Sequence, residues 1–400
     1  MRKAMKKVLT LTLAAAMLLG STAAFAEEEA EGINVAVIGP LTGPYAIYGL
    51  NCANALEIAA KEINELDGVK LNVLTAQDDQ GDPTLSVNAY NTLMDDGMQI
   101  LIGTVTSGAC IAVGTETNSD RVFTLTPSAS NDLVTEDKDN VFQICFTDSN
   151  QGRASAQYIS ENSLGKKIGV IYNNSIDYSM GIYKTFAEKA DELGLDIVAV
   201  EAFSDDNNAD FSVQIASMKK AGADLIFLPI YYTPASVILA QAKAAEYEPI
   251  FFGVDGMDGI LTMEGFDQSL AEGVMLLTPF SASSTDPVTK AFVEKYQEAY
   301  GDIPNQFAAD TYDAAYVTAA LCEKAGITAD MDPEDICEAL IEAITDEEFE
   351  YEGITGTMRW SEDGTVTKTP QAVVIENGEY IMYGSGDDAE IETEAETEAE

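Results

Sequence analysis

The chain has 400 residues, of which 68 are acidic and 21 basic, giving a formal net charge of −47 and no histidine. This negative charge argues against nucleic acid or an anionic lipid surface as a partner, because both would repel it. The lack of histidine removes the commonest general base and zinc ligand, so we expect neither a metal nor a cofactor.

The chain begins with the pattern of a signal peptide, predicted to cover residues 1–26. Four basic residues open it, residues 8–19 are almost wholly apolar, and Ala24-Phe25-Ala26 offers a small-x-small cleavage site. The apolar stretch is short for a bilayer span, which disfavours the alternative of a membrane anchor. We therefore expect an exported protein, in the periplasm or at the outer face of the cytoplasmic membrane.

Strand and helix patterns then alternate. The predicted strands are short β-branched runs, and the predicted helices carry apolar residues at spacings of three and four, as Ala55, Ile58, Ala59 and Ile63 do. In chain order these are strand 33–38, helix 48–66, strand 71–76, a helix opening at Pro83, strand 100–103, helix 109–117 and strand 122–126. Strands separated by helices predict a parallel sheet that is covered on both faces.

The alternation restarts near Asp148 and predicts a second lobe. Its elements are strand 167–172, helix 180–193, strand 196–202, helix 211–221, strand 224–230, helix 235–245, strand 250–253 and strand 274–277. Helices 287–300 and 308–325 follow, and then a β-rich end with a turn at 360–364 and a strand at 372–375. The predicted fold class is α/β, with two Rossmann-like lobes that each have a parallel central sheet.

The chain is expected to cross three times between the lobes and so to form a hinge with a ligand cleft at the strand ends. Two of the crossings are placed near Cys145-Phe146 and Thr278-Pro279. The acidic end lacks aromatic residues and is predicted to be disordered. The predicted boundaries are signal peptide 1–26, lobe one 27–146, lobe two 147–278, lobe one again 279–357, lobe two again 358–384 and tail 385–400.

Five cysteines are present, an odd number without any CxxC spacing. This pattern indicates neither a metal knuckle nor a complete disulfide framework. Cys322 and Cys337 could pair across their separation, and the favoured alternative is that all five are small buried thiols.

Two groups of hydroxyl residues follow strands of the first lobe. The loop 103–109 has GxxxxG spacing without the following Lys, so it is not a phosphate-binding loop. Its Ser107 lies near a helix N-terminus, where the N–H groups and the helix dipole would stabilise a carboxylate; the alternative is an ordinary N-cap serine. Ser128 and Ser130 follow the strand at 122–126, in a turn that could equally be structural.

Tyr231 and Asp255 come just after two predicted strands of the second lobe. A carboxylate at this edge could pair with a ligand ammonium, although an Asp between glycines could also serve only as a turn former. The sequence has no GxSxG elbow, no SxxK motif and no His for a triad. We therefore do not expect an enzyme, and no residue is predicted to be catalytic.

Residues 32–378 resemble the branched-chain amino-acid-binding family of ABC-transporter solute receptors, which have the type I periplasmic-binding fold. No one motif decides this, but the order and spacing of several support it. The stretches that carry the resemblance are Ile38-Gly39-Pro40-Leu41-Thr42-Gly43-Pro44, Gln77-Asp78-Asp79, Asp148-Ser149-Asn150-Gln151-Gly152, Asp177-Tyr178-Ser179-Met180-Gly181 and Gly253-Val254-Asp255-Gly256.

The resemblance implies a set of ligand contacts. The ligand carboxylate would be held by Ser107 and by the turn that carries Ser128 and Ser130. The ammonium would meet Tyr231 and Asp255. Aromatic residues implied to line the cleft are Tyr48, Tyr178 and Phe307.

Two features depart from the family pattern. A disulfide of lobe one found in relatives from two-membrane bacteria would fall on Gly81 and Thr106, so both of its halves are missing. Receptors of single-membrane bacteria usually carry Leu-x-Gly-Cys as a lipoprotein signal, whereas Leu18-Leu19-Gly20 is followed here by Ser21.

The resemblance implies a monomeric solute-binding protein of an ABC importer. It would bind a small amino acid, with a branched-chain one favoured, by hinge closure and deliver it to the permease subunits. The alternatives left open are a ligand-sensing module for an amide or another amino-acid-like solute, and a hydrolase of small amides.

Overall fold

The computed structural model describes residues 32–368 and 371–383. The predicted signal peptide 1–26 and the predicted tail 385–400 lie outside these residues. Within them, the structure contains two main sheets that follow one another along the chain, the first wholly parallel and the second mostly parallel, with helices between their strands. The predicted fold class is confirmed.

The first sheet is wholly parallel, with strand order β3-β1-β5-β6-β7. Its strands are β1 (Ile33–Ala36), β3 (Leu71–Val73), β5 (Ile100–Leu101), β6 (Phe123–Thr126) and β7 (Val141–Gln143), and a small parallel pair joins β2 (Ile38–Gly39) to β4 (Gln77–Asp78). The helices between these strands are α1 (Ala46–Glu65), α2 (Pro83–Asp95) and α3 (Ser107–Asp120). Strands β5, β6 and β7 are fully buried because helices cover both faces of the sheet.

The second sheet begins after α4 (Asp148–Glu161) and has the order β9-β8-β10-β11-β12-β15-β16. Its parallel strands are β8 (Ile168–Asn173), β9 (Ile197–Phe203), β10 (Leu225–Leu228), β11 (Ile250–Gly253) and β12 (Met275–Thr278), and β15 (Gln371–Glu376) and β16 (Glu379–Met382) extend it in antiparallel fashion. The helices between these strands are α5 (Asp177–Leu193), α6 (Ser212–Ala221) and α7 (Tyr232–Ala244).

The chain returns to the first sheet between β12 and β15. Helices α8 (Pro287–Tyr300) and α9 (Gln306–Ala325) pack on α1, and α10 (Pro333–Ile344) packs on α9 and β6. A hairpin of β13 (Tyr351–Gly353) and β14 (Gly356–Met358) follows. Beyond it, the Trp360 indole N–H donates to the Gln143 carbonyl at 2.8 Å and the Gln143 N–H donates to the Gly364 carbonyl at 2.9 Å. The predicted lobe boundaries stay a prediction, and these contacts favour a last crossing after Lys368 rather than at 357/358.

Most predicted elements are observed with small shifts of their ends, and helix α8 has the predicted bounds. The sequence patterns did not predict β7, α4, α10 or the β13–β14 hairpin. The turn expected at 360–364 is present, closed by a bridge between Trp360 and Val366.

All five cysteines are free and buried, so Cys322 and Cys337 form no disulfide. Burial raises the pKa of the thiols of Cys52, Cys322 and Cys337 to about 12. Among the described residues, no helix is long and apolar enough to cross a membrane.

Candidate functional site

A small enclosed cavity lies where the carboxyl ends of strands from both sheets face each other. Its volume is about 10 Å³, which is no more than the space that the centre of one water molecule needs. Seven of the eight predicted site residues line it; Ser130 does not. The lining consists of Tyr48, Val105, Thr106, Ser107, Ser128, Tyr178, Tyr231, Asp255, Gly256 and Phe307.

Helix α3 directs its N-terminus at this cavity. Its N-cap is Thr106, whose side chain makes no capping hydrogen bond, and Ser107 is the first helical residue rather than the cap. The Ser107 hydroxyl oxygen accepts a hydrogen bond from the Asn131 N–H at 3.2 Å, so its own proton is left to donate elsewhere. The Thr106 hydroxyl is buried without a hydrogen-bond partner among the described residues. This end of the cavity is therefore suited to an anion.

The turn after β6 places its two serines differently. The Ser128 hydroxyl lines the cavity and donates to the Val105 carbonyl at 2.8 Å. Ser130 is fully buried, and its hydroxyl donates to the Asp148 carboxylate at 2.8 Å. Asp148 also accepts from the Asn131 amide at 2.8 Å. Ser130 therefore supports a buried acid behind the cavity and does not reach the cavity itself.

Asp255 follows β11 and is only 3% exposed. One carboxylate oxygen accepts from the Tyr178 hydroxyl at 2.6 Å and from the Gly256 N–H at 2.7 Å. Burial raises the pKa of Asp255 to about 7, although these donors and the Gln151 side chain favour the ionised form and lower it. A cation beside this carboxylate would compensate for the lost hydration.

Aromatic rings form the remaining walls. Tyr178 and Tyr231 stack with centroids 4.7 Å apart, and Tyr48 meets Phe307 edge-on at 4.7 Å. The Tyr48 hydroxyl donates to the Gly256 carbonyl, so α1 of the first half touches the segment after β11 of the second. The walls offer apolar surface and the electron-rich ring faces that attract cations.

Two supporting residues were missed by the sequence patterns. Gln151 accepts the Asp255 N–H at 3.2 Å, and Asn131 donates to both Asp148 and the Asp177 carbonyl. Gln151 lies in a stretch that carries the family resemblance, which was a usable signal. Asn131 follows the hydroxyl-rich turn directly and had no signal beyond that position.

The chain is similar to known proteins over most of its length. The model of a family described as "Periplasmic binding protein" matches residues 32–379. The Leu/Ile/Val-binding protein homolog 3 of Brucella melitensis is 28% identical over 90% of this chain and 95% of that protein. The leucine-, isoleucine-, valine-, threonine-, and alanine-binding protein of Pseudomonas aeruginosa is 29% identical over 88% of this chain and 91% of that protein.

Solved structures of similar proteins have the same fold. The leucine-binding protein LivK from Thermotoga maritima is 28% identical, with a TM-score of 0.77 over 88% of this chain and 97% of that one. LivJ from Streptococcus pneumoniae, a branched-chain amino acid transporter substrate-binding protein solved in complex with isoleucine, is 27% identical, with a TM-score of 0.78 over 87% and 97% of the two chains.

Proposed function

The chain belongs to the periplasmic binding protein family, and from that membership we propose that it binds a branched-chain amino acid for an ABC importer. It works outside the cytoplasm as a monomer, delivers its ligand to the permease subunits and catalyses no reaction. The names of its relatives and the chemistry of the candidate site support this function together.

The observation that carries the proposal is the polarity of the cavity. Ser107 and the N-terminus of α3 offer donors to an anion, and Asp255 offers a carboxylate to a cation. An α-amino acid bears these two charges on a carboxylate and an ammonium that are attached to the same carbon atom. The aromatic walls then suit an apolar side chain.

Each contact has a role that its hydrogen bonding supports. The Ser107 hydroxyl donates to the ligand carboxylate, because its oxygen already accepts from Asn131. The Ser128 hydroxyl proton is engaged by Val105, so this oxygen is left as an acceptor, which suits the ligand ammonium rather than the carboxylate that the resemblance implied. Asp255, held by Tyr178, carries the compensating charge. Ser130 acts indirectly, through Asp148.

Ligand entry requires the two halves to separate. A cavity of about 10 Å³ is far smaller than an amino acid. The hydrogen bond from the Tyr48 hydroxyl to the Gly256 carbonyl also joins the two halves beside it. Movement about a hinge at the crossings, near residues 146 and 278 and after 368, opens the site, and differential binding to the two arrangements drives closure.

The first test is calorimetric titration of the purified mature protein with leucine, isoleucine and valine, and with the 2-hydroxy acid that corresponds to leucine. We expect at least one amino acid to bind with a micromolar or tighter Kd and the hydroxy acid, which lacks the ammonium, to bind far more weakly. Binding of small amides without any amino acid would instead favour the sensing module. Release of ammonia from such amides would favour the hydrolase.

Replacing Asp255 tests the assigned ammonium contact. Asp255→Ala leaves a buried ammonium unpaired, which costs about 3–5 kcal/mol. This corresponds to a Kd weaker by roughly two to four powers of ten. Asp255→Asn keeps an acceptor and should lose less. A loss below tenfold for Asp255→Ala, in a variant with an unchanged circular dichroism spectrum, would show that the ammonium is held elsewhere.

A further inference from the structure

A second buried carboxylate, that of Asp258, joins the two halves of the molecule. It follows β11 of the second sheet and is 3% exposed. One oxygen accepts from the Gly259 N–H and the other from the Gln306 N–H, each at 2.8 Å. Gln306 is the first residue of α9, which packs along α1 on the first sheet. The carboxylate therefore caps a helix that belongs to the opposite half.

Helix α9 does not need this cap in order to form. Its own N-cap, Asn305, accepts from the Ala308 N–H at 3.1 Å within the same half. A carboxylate at the N-terminus of a helix is attracted by the helix dipole, and hydrogen bonds to a charged acceptor are about twice as strong as neutral ones. Burial raises the pKa of Asp258 to about 6, while Gln306, Gly259 and Tyr380 lower it, so the group is ionised at pH 7.5.

Other hydrogen bonds cross the same junction. The Tyr48 hydroxyl donates to the Gly256 carbonyl, and the Thr233 hydroxyl donates to the Pro44 carbonyl at 2.7 Å. At the first crossing, the Asp148 carboxylate accepts from Ser130 and Asn131. Asp258 differs from Asp148 in that it caps a helix of the opposite half, and separation of the halves would remove this cap. We propose that Asp258 is a latch, a positioning residue that holds the closed arrangement and slows ligand release. This role rests on the hinge closure of the proposed function.

Asp258→Asn tests the latch at constant side-chain size. One of the two N–H donors would then face an amide N–H instead of an oxygen. We expect the dissociation rate of leucine to rise at least tenfold, as measured by stopped flow, and the association rate to rise as well, because a ligand enters only when the halves are apart. Without ligand, small-angle scattering should give a larger radius of gyration. Amide exchange over residues 231–236, where the Tyr232 N–H faces the Tyr48 hydroxyl, should be faster.

Asp267→Asn is the matched control. Asp267 lies in the same half and undergoes the same loss of charge, but it is exposed and bonds the Ser269 N–H within its own short turn. We expect it to change neither the dissociation rate, nor the radius of gyration, nor the exchange over 231–236. An equal effect of both variants would overturn the latch, since it would reflect only net charge.

A second variant removes the donor and keeps the carboxylate. Gln306→Pro deletes the N–H that bonds Asp258, and the first helical position tolerates Pro. Asn305 already has the extended backbone that a residue before Pro adopts. Leucine should leave the double variant Asp258→Asn/Gln306→Pro no faster than it leaves the faster single variant, because both substitutions disrupt the same hydrogen bond. If Asp258→Asn does not fold, the dissociation rate of leucine from Gln306→Pro tests the latch by itself.

The outcomes separate the latch from the proposed function. Additive effects of the two substitutions on dissociation would overturn the latch. If no amino acid binds, the proposed ligand is wrong, but the ligand-free radius of gyration and amide exchange still test the latch. An unchanged radius and unchanged exchange over 231–236 in Asp258→Asn would then overturn it.

Discussion

Asp255 shows how burial changes the chemistry of a single side chain. It accepts hydrogen bonds from Tyr178 and Gly256, yet burial, with a smaller contribution from the Asp310 carboxylate, raises its pKa to about 7. A ligand ammonium beside it would favour the ionised form and lower the pKa again. Binding of an amino acid is therefore linked to loss of a proton.

The affinity for leucine should consequently depend on pH. Below pH 7 the unliganded site holds a proton that must leave before the ammonium can pair, so the Kd should rise as the pH falls from 8 to 5.5. The limit is about tenfold per pH unit. The tyrosines around Asp255 have pKa values above 10 and do not titrate in this range. Titration calorimetry in two buffers of different ionisation enthalpy measures both the affinity and the proton release.

Asp255→Asn is the control for this pH dependence. It cannot exchange the proton, so its weaker affinity should be constant over the same range. Asp148 and Asp258, whose pKa values are also raised by burial, stay present in the variant and would reveal themselves as a residual slope. Equal Kd values for the wild type at pH 8 and pH 5.5 would contradict the linkage.

The sequence led to some site residues and not to others for physical reasons. Ser107 and Asp255 lie in segments that leave the carboxyl ends of β5 and β11, and the carboxyl ends of parallel strands share an edge where ligands bind. Ser130 lies two residues beyond Ser128, but the direction of a side chain in a turn depends on the local backbone, which the sequence does not reveal. Asn131 acts through a tertiary contact with Asp148, 17 residues along the chain.

At the scale of elements, two missed helices differ in how visible they were. The buried face of α4 consists largely of small and polar residues such as Gly152 and Ser155, so it has no apolar stripe. Helix α10, in contrast, has Pro333 in its first turn, Asp335 close behind and buried Leu340 on its inner face, which together form a recognisable amphipathic pattern. This helix was therefore predictable from the sequence.

A buried ion pair ties the last crossing segment to helix α9. The Lys368 ammonium lies 2.8 Å from the Asp310 carboxylate, with both side chains 2% exposed, and it also donates to the Thr355 hydroxyl at 2.7 Å. Burial raises the pKa of Asp310 to about 6 in spite of the lysine. The Thr355 hydroxyl in turn donates to the carboxylate of Asp313, which is buried beside this pair. The lysine thus compensates two carboxylates.

Lys368→Met should therefore destabilise the fold by about 3–5 kcal/mol, because it leaves buried carboxylates without a cation. Adding Asp310→Asn should recover part of this loss, since it removes one of the two charges. Urea denaturation gives the free energies of unfolding. Lys243→Met, which breaks an exposed pair with Glu248, is the control and should have no measurable effect. If Lys368→Met is as stable as the wild type, the Asp310 and Asp313 carboxylates are already protonated in the folded protein.

At the scale of the whole molecule, the acidic composition extends into the interior. Six aspartates of the described residues are buried, against a single buried lysine, Lys368. The two acids of the junction, Asp255 and Asp258, lie at or beside the candidate site, where they take part in closure. The six buried aspartates are Asp79, Asp148, Asp255, Asp258, Asp310 and Asp313.

These buried acids predict that the protein is more stable in mildly acid solution than at neutral pH. Burial raises the pKa of Asp79, Asp258 and Asp310 to about 6 and that of Asp255 to about 7. In the unfolded chain each has a pKa of about 3.9. The folded state thus binds these protons more tightly, and the stability that they contribute is lost as the pH rises from about 4 through 6 to 7. Repulsion within a chain of net charge −47 acts in the same direction.

Urea denaturation from pH 8 down to pH 5 should show the free energy of unfolding increasing by an amount on the order of a few kcal/mol. Repeating it in 0.5 M salt (roughly 4 Å of Debye screening) weakens the repulsion between surface charges but not the cost of burying a carboxylate, so most of the slope should remain. Asp79→Asn removes one titrating group that does not line the candidate site, and it should reduce the dependence of the free energy of unfolding on pH by the share of that group. A slope that vanishes in high salt would attribute the effect to net charge alone, and a free energy of unfolding that rises with pH would contradict the raised pKa values themselves.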